Sequence, residues 1–303
     1  MKFRTAFAVL LLTPVALSGQ PAAAAASPTI AYAQHTKVWE LVLTNGNVVK
    51  VPGALAEAPD DVVNAGARAP FLVSGDGRHF FYFRKSDGLF VERTVRGKER
   101  VVSRKITTAT IDEEWPWVSN DGSYVVTTTS APGVGVFADL RTGKVLPPPG
   151  RTDAWNFLGF SPNGKRLLLA GENLTVFDRG LRAQLRPKTR LSPMALANDY
   201  VTAAAPVGTW RKYRGLRLLN LRTGQAGAAV TVQLPRGQYV DDLDFDQAGR
   251  LIVRSRTGKG VAIYQVSKTT GKTTLLRTIA RPDATAWVLP GDSSSEVWTD
   301  KKK

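Results

Sequence analysis

The sequence predicts an all-β fold: a six-bladed β-propeller of four-stranded antiparallel blades, closed by pairing of its N- and C-terminal strands. Three observations predict it. A tight-turn motif returns about every 42 residues, a second series of glycine turns runs out of phase with the first, and no amphipathic helix of useful length competes.

The first series is VSGDGR (Val73 to Arg78), VSNDGS (Val118 to Ser123), FSPNGK (Phe160 to Lys165) and FDQAGR (Phe245 to Arg250). Its glycines, Gly77, Gly122, Gly164 and Gly249, are spaced by 45, 42 and 85 residues, and the last gap is two steps. The missing member falls at residue 206 or earlier, where ANDY (Ala197 to Tyr200) is a degenerate copy without its glycine. A further step from Gly249 arrives at Gly291. The second series is Gly46, Gly97, Gly143, Gly180, Gly224 and Gly271. Turns of this kind between short apolar runs read as β-hairpins.

HFFYFRK, SYVVTTTS and KRLLLAG follow the first turn, and GLFVERTV, GVGVFADL and NLTVFDR precede the second. They are short and rich in β-branched or aromatic residues, as strands are. With the strand leading into the first turn and the one leaving the second, each unit has four. One such sheet cannot bury both faces alone; repeats of 40 to 45 residues solve this by radial stacking. Five bodies are predicted at 68–104, 113–147, 154–187, 192–234 and 240–280. The sixth joins AWVLPGDSSSEVWTD from the C-terminus to IAYAQ, KVWELVLT and NVVKV from the N-terminus, which removes the open edges. Seven blades is the alternative count.

Residues 1–26 read as an export signal: Lys2 and Arg4, a mostly apolar run from Thr5 to Leu17, then small residues with a cleavage site after Ala26. The apolar run is shorter than the roughly 20 residues a spanning helix needs, so no membrane span is expected. Residues 27–300 form a single propeller domain, followed by a basic tail, 301–303. The chain has no cysteine, which excludes a lipid-attached cysteine, disulfides and thiolate metal sites. A secreted or extracytoplasmic monomer that is not a lipoprotein follows. Of 41 basic residues, 39 remain after the signal, against 25 acidic ones, a net +14. Such a surface is drawn to polyanions.

FSPNGKRLLL followed by LTVFDRG, residues 160 to 180, resembles the propeller repeat of the TolB-like, or WD40-like, family. That pattern is an apolar residue, Ser-Pro-Asp-Gly-Lys, an apolar strand, then a strand ending Asp-x-x-Gly; Asn163 stands in place of Asp. Residues 118–143 and 73–97 match more loosely. The resemblance implies a propeller and a partner-binding role at the cell envelope, and it brings no catalytic motif. TolB proteins carry an α/β domain ahead of the propeller, for which this chain leaves no room.

Chemistry-bearing groups are scarce. The histidines are His35 and His79, and neither a G-x-S-x-G elbow nor a phosphate loop is present. Asp242, Asp244 and Asp246 alternate like the start of a calcium loop, but Gln247 replaces its glycine and the closing Glu is missing. Calcium there is the weak metal candidate; no cofactor is expected. Trp115, Trp117, Trp155 and Trp287 fall at or just before innermost strands, with Asp241 and Asp242 close by. They read either as filling the wedge between blades or as a ligand-gripping ring. GTWRKYRG adds Trp210, Arg211, Lys212, Tyr213 and Arg214, aromatic and basic side chains in alternation. The function expected is a non-catalytic scaffold that binds a protein or a cell-envelope polymer, at the envelope or outside the cell. The alternatives are a propeller enzyme (a metal-dependent hydrolase or lactonase, or a glycan lyase) and a polyanion-binding wall protein. Nucleic acid is not expected as a physiological partner.

Overall fold

A computed structural model describes residues 27–111, 115–128, 133–150, 155–209 and 212–291. Blade 1 contains β1 (Ile30–His35), β2 (Trp39–Leu43) and β3 (Val48–Val51). Blade 2 is β4 (Phe71–Val73), β5 (His79–Phe83), β6 (Phe90–Thr94) and β7 (Arg100–Val101). Blade 3 runs through β8 (Trp115–Val118), β9 (Tyr124–Thr128), β10 (Gly135–Asp139) and β11 (Lys144–Leu146). In blade 4 come β12 (Asn156–Phe160), β13 (Arg166–Ala170), β14 (Leu174–Asp178) and β15 (Ala183–Leu185). Blade 5 has β16 (Ala195–Leu196), β17 (Thr202–Thr209), β18 (Lys212–Asn220) and β19 (Val230–Thr231). Blade 6 has β20 (Asp242–Phe245), β21 (Leu251–Thr257), β22 (Gly260–Val266) and β23 (Thr273–Ala280). The chain then returns to blade 1 as β24 (Ala286–Val288), which pairs antiparallel with β1 from Ala33↔Val288 to His35↔Ala286. The count is six, and the closure joins the two ends as the sequence predicts.

The wheel forms because the middle strands are apolar on both faces. In β5, Phe80 and Tyr82 point one way and Phe81 and Phe83 the other, and all four are buried. Phe80 and Tyr82 meet Trp39, Leu41 and Phe71 in the wedge between blades 1 and 2, where the Trp39 and Phe71 rings stack at 4.3 Å. Phe81 and Phe83 meet Val125, Val136 and Ala138 of blade 3. The remaining wedges repeat the scheme: Phe137 with Leu167 and Phe177, Leu168 with Leu219, Ala204 with Phe245, Ile263 with Trp287. Each large side chain so buried contributes about 1.5–3 kcal/mol. The only helix among the described residues is a single 3-10 turn, Thr108–Thr110, between blades 2 and 3.

The first turn series is a hydrogen-bonded device at the end of each innermost strand. Ser119 Oγ donates to Asp121 Oδ1 (2.6 Å) and accepts from the Tyr124 N–H (3.0 Å), and Gly122 N–H closes the turn on Ser119 O (2.8 Å). Ser74 with Asp76 and Ser161 with Asn163 repeat it at 2.5 and 2.8 Å. Asn163 therefore does the work of the aspartate it replaces. Gly122 has φ +65°, and a Cβ there would meet the His79 ring of blade 2 at 2.5 Å.

ANDY is the missing turn. Tyr200 N–H donates to Ala197 O (3.1 Å), and Tyr200 takes φ +61° where the other turns have glycine. That conformation costs a side chain about 1–2 kcal/mol. The ring offsets it: Arg166 stacks over it at 4.5 Å, and Asn163 Nδ2 donates to its hydroxyl (3.0 Å). Tyr200→Ala keeps the strain and loses the contacts, so it should destabilise by about 1–2 kcal/mol. Tyr200→Gly loses both and should fall within about half that of the parent in chemical denaturation. Equal losses for the two variants would show that Tyr200 is not strained.

Candidate functional site

The six innermost strands line the hub, and the two faces of the wheel differ. On the turn face, at least one polar link near the hub crosses each blade interface. Gly291 N–H donates to Val73 O (2.9 Å), Asp76 N–H to Asn120 O (2.8 Å) and Asn163 N–H to Asn198 Oδ1 (2.9 Å). Asn198 Nδ2 donates to Gln247 O (3.1 Å), Arg254 Nη2 to Pro290 O (2.8 Å), and Asn120 Nδ2 makes a longer contact with Pro162 O (3.5 Å). Gln247 also donates to Pro162 O, which places a bridge between blades 6 and 4. Asn120, Asn198 and Gln247 escaped the sequence reading. Their signal was positional: each is the second residue of its turn, the one aimed at the axis.

Behind this ring lies a hub cavity of about 100 Å³, lined by Trp117, Phe157, Met194, Asp242 and Asp244 among others. The Trp117 and Phe157 rings pack at 5.3 Å. Asp242 and Asp244 share the hub side of β20, two residues apart, as strand alternation requires. Asp244 is half-buried, and burial, followed by the charge of Asp242, pushes its carboxyl up to about 7. Opposing this are Arg254 and the Phe245 N–H, which donates to Asp244 Oδ1 (2.7 Å). Arg254 Nε sits 3.9 Å from Asp242. On the far side of Asp244 and Arg254 a second cavity of about 230 Å³ opens between blades 6 and 2.

A carboxyl that titrates near neutrality beside a second carboxyl can serve acid–base chemistry. The hub cavity is smaller than the roughly 300 to 1,000 Å³ of small-molecule sites, and about 100 Å³ holds a few waters. Asp246 does not join the pair. It lies in the turn beyond β20, where Arg250 Nε donates to its Oδ2 (2.6 Å). Among the described residues no group of three or more His, Asp or Glu converges as a metal site.

The tryptophans divide. Trp117 lines the hub, and Trp115 is half-buried at the start of β8. Trp287 is 3% exposed, edge-on to Tyr32 at 6.3 Å in the wedge between blades 6 and 1. Trp155 packs edge-on to Phe177 at 5.3 Å and donates its Nε1–H to Pro149 O (2.5 Å). These two fill wedges rather than a ligand-gripping ring: Trp155, just ahead of β12, packs on Phe177, and Trp287, within β24, packs on Val261 and Ile263 of blade 6.

The opposite face carries the connections between blades and the long β17–β18 hairpin. Trp210 and Arg211, at its tip, lie outside the described residues. Lys212 and Arg214 are exposed, whereas Tyr213 packs against the core of blades 5 and 6. Arg214 stacks over the Tyr239 ring at 4.9 Å and donates to its hydroxyl (3.3 Å). Val240 N–H donates to Tyr213 O (2.9 Å), which ties the hairpin to the Asp241 loop. Asp241 Oδ2 accepts the Arg256 N–H (2.5 Å), and burial raises its pKa. The histidines are on different faces: His35 bonds Thr285 Oγ1 (3.0 Å) across β1 and β24, and His79 bonds Glu92 (2.6 Å) near the turns. The Glu92 hydrogen bond raises the His79 pKa, whereas burial lowers that of His35.

No protein-family model and no curated protein matches the chain. Among solved structures it is similar to TolB from Acinetobacter baumannii, at 16% identity and TM-score 0.46, over 80% of this chain and 61% of that one. A protein provisionally named TolB from Agrobacterium tumefaciens matches at 12% identity and TM-score 0.47, over 84% and 90% of the two chains. Dipeptidyl peptidase 4 of Porphyromonas gingivalis matches at 13% identity and TM-score 0.43, over 72% and 41%. The chain thus spans about three fifths of the Acinetobacter protein and two fifths of the peptidase. The strand order itself decides the fold, and the chain is a six-bladed β-propeller.

Proposed function

We propose that this protein is an exported, non-catalytic propeller that binds a protein or an envelope polymer through the face bearing the β17–β18 hairpin. One observation carries the reading: the turn face is cross-linked at the hub, and the hub cavity holds about 100 Å³. Recognition then falls to loop side chains, and the hairpin face offers exposed cations beside a ring, Lys212, Arg214 and Tyr239. A partner with acidic and aromatic groups suits it. The kinship of repeat pattern with TolB-like propellers points the same way.

The test is site-specific photo-crosslinking of residues 27–303 in an envelope extract. A photoreactive phenylalanine at Lys212 should give discrete adducts, and the same probe at Thr142, exposed on the turn face, should give none. Adducts at Thr142 and none at Lys212 would overturn the assignment of the face. N-terminal sequencing of the exported chain should begin at Ser27. The net charge of +14 supports a second reading, retention on a wall polyanion, which predicts binding that fades steeply with salt.

A further inference from the structure

A cavity of about 980 Å³, larger than either hub cavity, lies away from the hub and the hairpin face. It is a groove on the turn side, between the β2–β3 hairpin of blade 1 and the β4–β5 and β6–β7 turns of blade 2. One wall is apolar, formed by Leu43, Val48, Val49 and Val95, and Val48 is 52% exposed although it is a large aliphatic residue. The other side carries Arg78 and Arg96, and no Asp or Glu lines the groove. Both arginines are exposed, and among the described residues neither guanidinium has an ion pair or a hydrogen-bond acceptor. This sets them apart from Arg84, Arg100, Arg141, Arg179 and Arg250, each of which pairs with a carboxylate.

We infer that this groove is a binding site for a small amphipathic anion, its carboxylate, sulfonate or phosphate head held by Arg78 and Arg96 and its apolar body laid on Val48, Val49 and Val95. Two unpaired forked donors beside an acid-free, partly apolar cleft match that chemistry and no other common class. A cation would meet two like charges, and a neutral apolar ligand would leave both guanidiniums unused. The volume lies at the upper end of small-molecule sites. The groove and the hairpin face share no residue, so either assignment can fail alone.

The probe is 1-anilinonaphthalene-8-sulfonate, an anionic ring system, titrated by fluorescence against residues 27–303. One saturable site is expected, displaced by decanoate but not by decylamine or decanol. Arg78→Gln with Arg96→Gln should weaken binding at least tenfold, and Val48→Glu, at an exposed position, should abolish it. Arg186→Gln with Arg190→Gln, two exposed arginines elsewhere, should leave it unchanged. Binding that survives the Arg78 and Arg96 changes but is lost on Leu275→Glu with Leu276→Glu would place the dye on the exposed strand β23 and overturn the inference. So would failure of decanoate to displace the dye while anionic phosphatidylglycerol vesicles bind through the same two arginines, which would make the face a membrane contact.

Discussion

Arg179→Ala should destabilise this protein more than any other single surface-to-alanine change, by about 2–4 kcal/mol. Arg179 follows β14 in blade 4, but its guanidinium is spent on blade 3. Nε and Nη2 donate to the two oxygens of Asp139 (2.8 and 2.6 Å), and Nη1 donates to Ser123 Oγ (2.9 Å). Nη2 also reaches Ser123 O (3.0 Å), and Nη1 reaches Gly164 O (3.1 Å) in its own blade. The group stacks over the Tyr124 ring at 4.8 Å, and the Tyr124 hydroxyl donates back to Arg179 O (2.9 Å). Side-chain exposures are only 14% and 13% for Arg179 and Asp139. Burial pushes the Asp139 carboxyl up, and the bonds from Arg179 more than reverse this, leaving its pKa low. Truncation therefore strands a shielded carboxylate and loses a bidentate bridge across a blade interface. At roughly 2–4 °C per kcal/mol for a domain of this size, the melting temperature should fall by about 4–16 °C. Arg179→Lys, which restores charge without the fork, should recover only part. Arg141→Ala is the control, since Arg141 pairs with Asp121 at 53% exposure and should cost about 1 kcal/mol or less. Equal melting temperatures for the two alanine variants would refute the interface role of Arg179.

The difference between these two arginines marks where sequence reading ends. DLRTG and FDRG are visible as turns of one series, and the glycines predict their place at the end of a hairpin. Nothing in either segment says that Arg179 crosses to the neighbouring blade while Arg141 stays at the surface; that depends on the radial stacking. The repeat and the closure were legible because they rest on period and turn chemistry. The ANDY turn was legible by its phase, although its glycine position is held by Tyr200 with a cation over its ring. The hub ring was not legible, because Asn120, Asn198 and Gln247 share a position in the turn but no residue type. Nor was the groove holding Arg78 and Arg96, which are 18 residues apart in the sequence and line one groove only because the first and third turns of blade 2 exit on the same face. The aspartates of β20 were legible as neighbours on one strand face, but Asp246 was not separable from them until the strand was seen to end at Phe245.

Asp244→Asn should stabilise the protein at pH 8 and leave it nearly unchanged at pH 3. The Asp244 carboxyl titrates near 7 in the folded chain, against about 3.9 when unfolded. Between these values the folded state holds a proton that the unfolded state has released. Stability is therefore fully present below about pH 4, falls as pH rises towards 7, and is flat again above it. At 1.36 kcal/mol per unit, and allowing for a half-buried site, the full loss is on the order of 2–4 kcal/mol. Asparagine cannot ionise, fills the same space and still offers an oxygen to the Phe245 N–H, so its variant escapes the loss. The wild-type melting temperature should drop across pH 5 to 7.5 relative to the variant, with the gap opening to several degrees. His79, whose pKa is also raised, weakens the fold in the alkaline direction in both proteins and cancels in the comparison. Asp242→Asn should close part of the gap, since the Asp242 charge is the second cause of the shift, whereas Arg254→Met should widen it, since Arg254 opposes the shift. Parallel curves for wild type and Asp244→Asn would mean that Asp244 is ionised in the hub at neutral pH, and the cavity would then have to hold a compensating positive charge.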